Sequence, residues 1–167
     1  MAGTYSLTSA GITVVNAVVT LTFVNAPAAP NIDLCFRRFW VGQSATTPST
    51  FNQRVQINTQ VTAFPTLVSA TPTKLAVADA ASVITGATTG AAGTSGINAS
   101  AEGAGTKTVI WADAFNATNG WLLVLTPEEI IEQAAGATSG VGMHFPVATG
   151  ASPNTLNWAF GCIWTEE

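Results

Sequence analysis

Charge is what this sequence has least of. Only 8% of its 167 residues are Asp, Glu, Lys or Arg, where a soluble domain carries about 25%. Five Lys and Arg stand against nine Asp and Glu, a formal net charge of -4. That balance excludes a basic nucleic-acid binder and a polybasic membrane patch, and the low charge excludes disorder of the charge-driven kind. Cysteine is equally scarce. Cys35 and Cys162 are the only two, without CxxC spacing or the density of a disulfide scaffold. They read as small buried hydrophobes, with a single bridge between them as the alternative. Long apolar runs are missing as well. The stretch at residues 14–24 is broken by Asn16, Thr20 and Thr22 and follows no basic residue, so it does not read as a signal peptide. No window approaches the roughly 18 uninterrupted apolar residues of a membrane span.

What is abundant is small and neutral: 28 Ala, 25 Thr and 15 Gly. A surface of this kind is kept in water by hydroxyls and amides. A free monomer normally stays dispersed through charge repulsion, so the composition points to a surface covered in part by neighbouring polypeptides.

Where the sequence is ordered, its period is two. In residues 51–60 one parity reads Phe51, Gln53, Val55, Ile57 and Thr59, and the other Asn52, Arg54, Gln56, Asn58 and Gln60. That is the pattern of a half-buried strand. Near the end of the chain Leu156, Trp158, Phe160, Cys162 and Trp164 share one face, with Thr155, Asn157, Ala159, Gly161 and Thr165 across from them. Residues 18–24, 32–41, 106–112, 121–126 and 141–147 add β-branched and aromatic candidates. Turn signals at residues 25–27, 42–44, 119–120 and 152–154 separate them. The expectation is an all-β chain: one β-sandwich or jelly-roll-like domain over residues 1–167, with at most short helical turns. The two helical candidates are residues 127–135, where Thr126 can cap and Pro127 suits the first position, and residues 74–82.

Residues 61–105 break the pattern, with six glycines between Gly86 and Gly105. A connection so long is either a linker or an arm that orders on a partner. Leu67, Val68, Leu75, Val77, Val83 and Ile84 supply anchors a linker lacks. The reading is therefore an excursion packed partly on its own domain and partly on a neighbour, with residues 1–11 as a second, N-terminal arm. Deleting residues 86–105 is then expected to leave a folded protein that has lost its partner.

Signatures of catalysis are sparse. The sole imidazole, His144, lies in an alternating segment and reads as a hydrogen-bonded or exposed strand histidine rather than a base. There is no GxSxG elbow, Walker loop, HExxH or dinucleotide fingerprint. Glu128 and Glu129 are consecutive and diverge, so nothing singles out a facing carboxylate pair. Asp113 suits a turn or cap. No catalytic residue, cofactor or metal is expected. The sequons at Asn98 and Asn116 are most economically chance in a Thr-rich chain.

The residues that suggest contact with other chains are Arg37, Arg38, Trp40, Trp111 and Trp121. Adjacent strand residues face opposite sides, so Arg37 and Arg38 cannot both be turned to one solvent face. Either one is paired, as at an assembly interface, or both lie exposed on an edge strand. Trp40, Trp111 and Trp121 fall at strand ends, where an indole can plug the sandwich or fill a pocket in another subunit. Trp158 and Trp164 belong to the core parity.

Residues 109–129, a strand followed by Asp113-Ala-Phe-Asn116, then Gly120-Trp-Leu122 and Thr126-Pro-Glu-Glu129, resemble a stretch of small virion proteins of tailed bacteriophages. The strand end Val41-Gly-Gln-Ser44 before a Thr-rich loop is similar to the same family. So is the closing strand that ends in Glu166 and Glu167. Together these cover about half the chain. The resemblance implies a β-sandwich that decorates or cements a phage head, commonly as a homotrimer on the outer surface of a shell of major capsid protein. It would be made in the host cytoplasm and would engage no nucleic acid or membrane. Receptor-binding or fibre-head modules that recognise a bacterial glycan, and tail or neck components, are the alternatives.

Overall fold

A computed structural model describes residues 3–14, 19–44, 50–136, 138–146 and 156–167. The expected turn at 152–154 and the Thr-rich loop after Ser44 lie largely or wholly outside these residues, as do positions 1–2 of the expected arm. Thirteen strands form in chain order: β1 (Gly3–Thr13), β2 (Val19–Asn25), β3 (Leu34–Gln43), β4 (Asn52–Val61), β5 (Thr66–Ser69), β6 (Thr73–Lys74), β7 (Thr85–Gly86), β8 (Thr94–Ala101), β9 (Thr106–Asn116), β10 (Trp121–Val124), β11 (Ile131–Gln133), β12 (Ser139–Phe145) and β13 (Asn157–Glu166). They make two sheets packed as a sandwich. The first runs β10-β3-β13-β1-β6, with β11 also on β3. The second runs β5-β8-β2-β12-β4-β9, with β7 joining β8. All pairings are antiparallel except β7 with β8.

The alternation of the last strand dictates its place. Trp158, Phe160, Cys162 and Trp164 of β13 are all buried and point between the sheets, where transferring each from water is favourable. Trp158 stands edge-on to Phe145 of β12 at 5.0 Å and to Phe115 of β9 at 6.3 Å, joining the two layers through one indole. Trp164 packs beside Tyr5 and Phe36. In β4 the expected inner face, Gln53, Val55 and Ile57, is buried. Asn58 and Gln60, of the opposite parity, are buried as well, and the excursion lies over Gln60. The Gln60 amide donates to the carbonyls of Ala63 and Glu102.

The two arms are strands of the domain. Residues 3–11 lie in β1, between β13 and β6. The excursion holds β5 to β8, and β8 is an interior strand of the second sheet, between β2 and β5. Small residues permit this. Gly96 sits where a side chain would strike Leu67 and the Val68 carbonyl at 2.7 and 2.9 Å. Carboxylates fasten the rest. Asp79 accepts from the Thr4 amide at 3.0 Å, and Glu166, buried at 5% exposure, accepts from the Val83 amide at 3.1 Å and from the Ser82 hydroxyl.

Neither helical candidate forms a helix. The Thr126 carbonyl accepts from the Glu129 amide at 3.0 Å, closing one turn, and the Glu129 carboxylate caps it by accepting from the Thr126 hydroxyl at 3.0 Å. The chain then extends into β11, because pairing with β3 buries Ile131 and Gln133 on alternate positions. Lys74 closes β6, and residues 75–82 follow as bends, one turn and irregular chain. Propensity is a weak prior beside an available sheet edge.

Cys35 on β3 and Cys162 on β13 are buried, free thiols. Burial pushes the Cys162 thiol up to about 12, so almost no thiolate exists near neutral pH. A thiol-specific disulfide reagent is expected to leave Cys162 untouched in the native protein and to modify it fully in denaturant. Native-state labelling of Cys162, read by mass spectrometry, would contradict the buried placement.

Candidate interaction surface

β9 ends the second sheet and β10 ends the first, and the turn at residues 117–120 joins them, so two strand edges flank one side of the sandwich. Five large apolar side chains lie exposed here: Val109, Ile110 and Trp111 on β9 at 48%, 43% and 37%, and Leu122 and Val124 on β10 at 62% and 53%. Among the described residues β9 pairs only with β4 over its 11 residues, leaving one row of backbone donors and acceptors open. Edges of this length normally carry charge or proline. This one carries Lys107 and Asp113 alone. A register shift opposite Ile57 and Asn58 makes Ile110 an extra residue and puts Val109 and Trp111 on opposite faces.

The indoles frame the same side. Trp40 on β3 faces Leu122 and Gly161 across the strands. Its ring covers Gly161, where a Cβ would come within 2.4 Å of the indole. Trp121 is half-buried and donates from Nε1 to Asp113 at 3.0 Å, linking β10 to β9. Trp40, Gln43, Asn119, Trp121 and Leu122 line an open groove of about 380 Å³. Trp111 stands apart from this groove, further along β9.

The arginines separate. An irregularity between Ile163 and Trp164 pairs Arg38 with Ile163 and Phe36 with Trp164, so Arg37 is the extra residue. Bulging lets both guanidinium groups avoid the core. Arg37 meets Glu167 at 3.1 Å and Thr165 at 3.4 Å. Arg38 is exposed between Val124 and Ile163.

A polar cluster on the second sheet escaped the sequence reading. Glu102, just after β8, accepts from the Thr20 amide at 2.6 Å and the Thr20 hydroxyl at 2.7 Å, and it pairs with Lys107 of β9. His144 of β12 places Nε2 at 3.4 Å from Glu102 Oε2 and 3.5 Å from Lys107 Nζ. Its Nδ1 is buried with no hydrogen-bond partner. Burial first, then the neighbouring ammonium, hold the imidazole down to about 4, against the opposite pull of Glu102. Thr20 spends its hydroxyl on Glu102 and not on the ring, so the geometry is that of a charge clamp and not of a base beside a nucleophile. Nothing local announces it, since Glu102 and Thr20 are 82 positions apart.

Among the described residues no three His, Cys, Asp or Glu side chains gather as a metal site. No protein-family model, curated protein or solved structure matches this chain.

Proposed function

We propose that this chain is a non-enzymatic structural protein of a virion. In this reading it is a decoration or cement protein on the outer surface of a bacteriophage head, bound to the major capsid protein and acting as a homo-oligomer, a trimer by the resemblance. The observation that carries the reading is the exposed apolar side formed by β9 and β10. Large apolar side chains left open to water on two neighbouring edge strands, Trp111 on β9 and Leu122 and Val124 on β10, are what a chain that functions by burying area on neighbours would present. Completing the burial of side chains already about half covered yields about 1 kcal/mol apiece before the cost of association. A protein that bridges neighbouring subunits adds its binding free energy to the closed, expanded shell and opposes the pressure of packaged DNA. The net charge of -4 suits a surface remote from that DNA.

The test is co-sedimentation with expanded heads assembled without the protein. Wild type is expected to saturate them. The double variant Leu122→Lys, Val124→Lys should bind about 100-fold more weakly while melting close to wild type, since both side chains are more than half exposed. Equal binding by the variant would dismiss this surface as the contact. A second reading, a glycan-binding fibre head, draws on the Trp40–Trp121 groove with its Gln43 and Asn119 amides. Binding to a glycan array without binding to heads would favour it.

A further inference from the structure

We propose that Glu102, Lys107 and His144 form an acid-sensitive latch, and that a proton taken up by His144 releases the turn after β8, residues 102–105, from Thr20 of β2. The excursion runs from the end of β4 at Val61 to the start of β9 at Thr106. Glu102 is the last side chain to fasten it, gripping both the amide and the hydroxyl of Thr20. That grip shares one carboxylate oxygen, Oε2, with Lys107 and lies against His144 Nε2.

In the closed arrangement the ring has room for one charge state. Protonated, it would carry N–H groups on both nitrogens. Nδ1–H would be buried without an acceptor, and Nε2–H would face an ammonium at 3.5 Å while competing for an oxygen that already accepts from Lys107 and Thr20. Each defect disfavours the closed state. The other strands packed against the ring offer no relief: β4 places Gln56 opposite it and β2 places Thr20, both uncharged. The charged groups facing His144 are therefore Glu102 and Lys107. Swinging the ring to water requires the 102–107 turn to lift, which breaks the Thr20 contacts.

The sign follows from linkage. An open latch returns the imidazole to its ordinary value of 6.5, while the closed one holds it at about 4. Closure is complete in its advantage above 6.5 and loses it progressively as pH falls towards about 4.

Because His144 is the sole histidine, its proton NMR titration can be followed without assignment ambiguity, alongside amide hydrogen exchange corrected for intrinsic rates. Between about pH 7 and about pH 4.5, opening at the Thr20 amide and across residues 102–107 is expected to rise more than about tenfold in wild type, with β8 unchanged. β13 should stay protected. His144→Gln should abolish this rise, and Lys107→Met, which removes the repelling charge, should shrink it and move the imidazole titration upward. An imidazole that titrates near its ordinary value in the folded protein overturns the proposal. So does an acid response that survives in His144→Gln, since the proton would then reside on a carboxylate. Should His144→Gln fail to fold, the wild-type titration and Lys107→Met still decide the matter.

Discussion

Removing residues 86–105 is expected to abolish cooperative folding rather than trim an appendage. The deletion takes out β8, which pairs with β2 on one side and with β5 and β7 on the other. It strips β5 of its strand partner, removes buried Ser95, Asn98 and Ala99, and discards the Glu102 grip on Thr20. Phe23, whose ring lies within van der Waals reach of Gly90, would lose part of its cover. Lost ladder bonds cost about 1 kcal/mol each and bared backbone groups more. Together they rival the 5–15 kcal/mol that holds a typical domain. Far-UV circular dichroism and a urea titration read the outcome. A sharp transition at the wild-type midpoint would show that the excursion is an arm after all, as its composition alone suggests.

Trp158→Ala should be the most damaging single substitution. The indole, carried by the first sheet, is wholly buried and meets Phe51, Phe115 and Phe145 on the side of the second sheet edge-on at 6.2, 6.3 and 5.0 Å, so its loss leaves a void between the sheets walled by those rings. Truncations of this kind cost about 3–5 kcal/mol. For a chain of this size that corresponds to a fall in Tm of about 10–15 °C. Trp158→Phe, which keeps an aromatic ring in place, should lose less than half as much. Differential scanning calorimetry of the three proteins decides. A fall of only a few degrees for the alanine variant would mean that the two sheets are not joined through this residue.

Much of the architecture was legible because it rests on local pattern. In β13 the core parity is apolar throughout, and any register that buries Trp158 buries Phe160, Cys162 and Trp164 with it. In β4 the pattern held at Gln53, Val55 and Ile57 but understated the burial of Asn58 and of Gln60, the latter because its cover comes from residues 63 and 102. The turn at Thr126 looked like a helix start for a sound reason, a capping side chain before Pro127 and two acids. It failed to propagate because β3 offered Ile131 and Gln133 a ladder.

The candidate surface was half visible. Trp40, Trp111 and Trp121 stood out by residue type, whereas Leu122 and Val124 did not, since a Trp-Leu-Leu-Val strand reads as covered on both faces. The chain by itself determined the β class, the parity of its core strands and the shortage of charge, because these depend on period two and on composition, both local properties. Only the tertiary structure decided which strands became edges, that β8 lies inside a sheet, and that Thr20, Glu102, Lys107 and His144 meet. What lies beside a strand, and whether water reaches it, is set by contacts between residues remote in sequence.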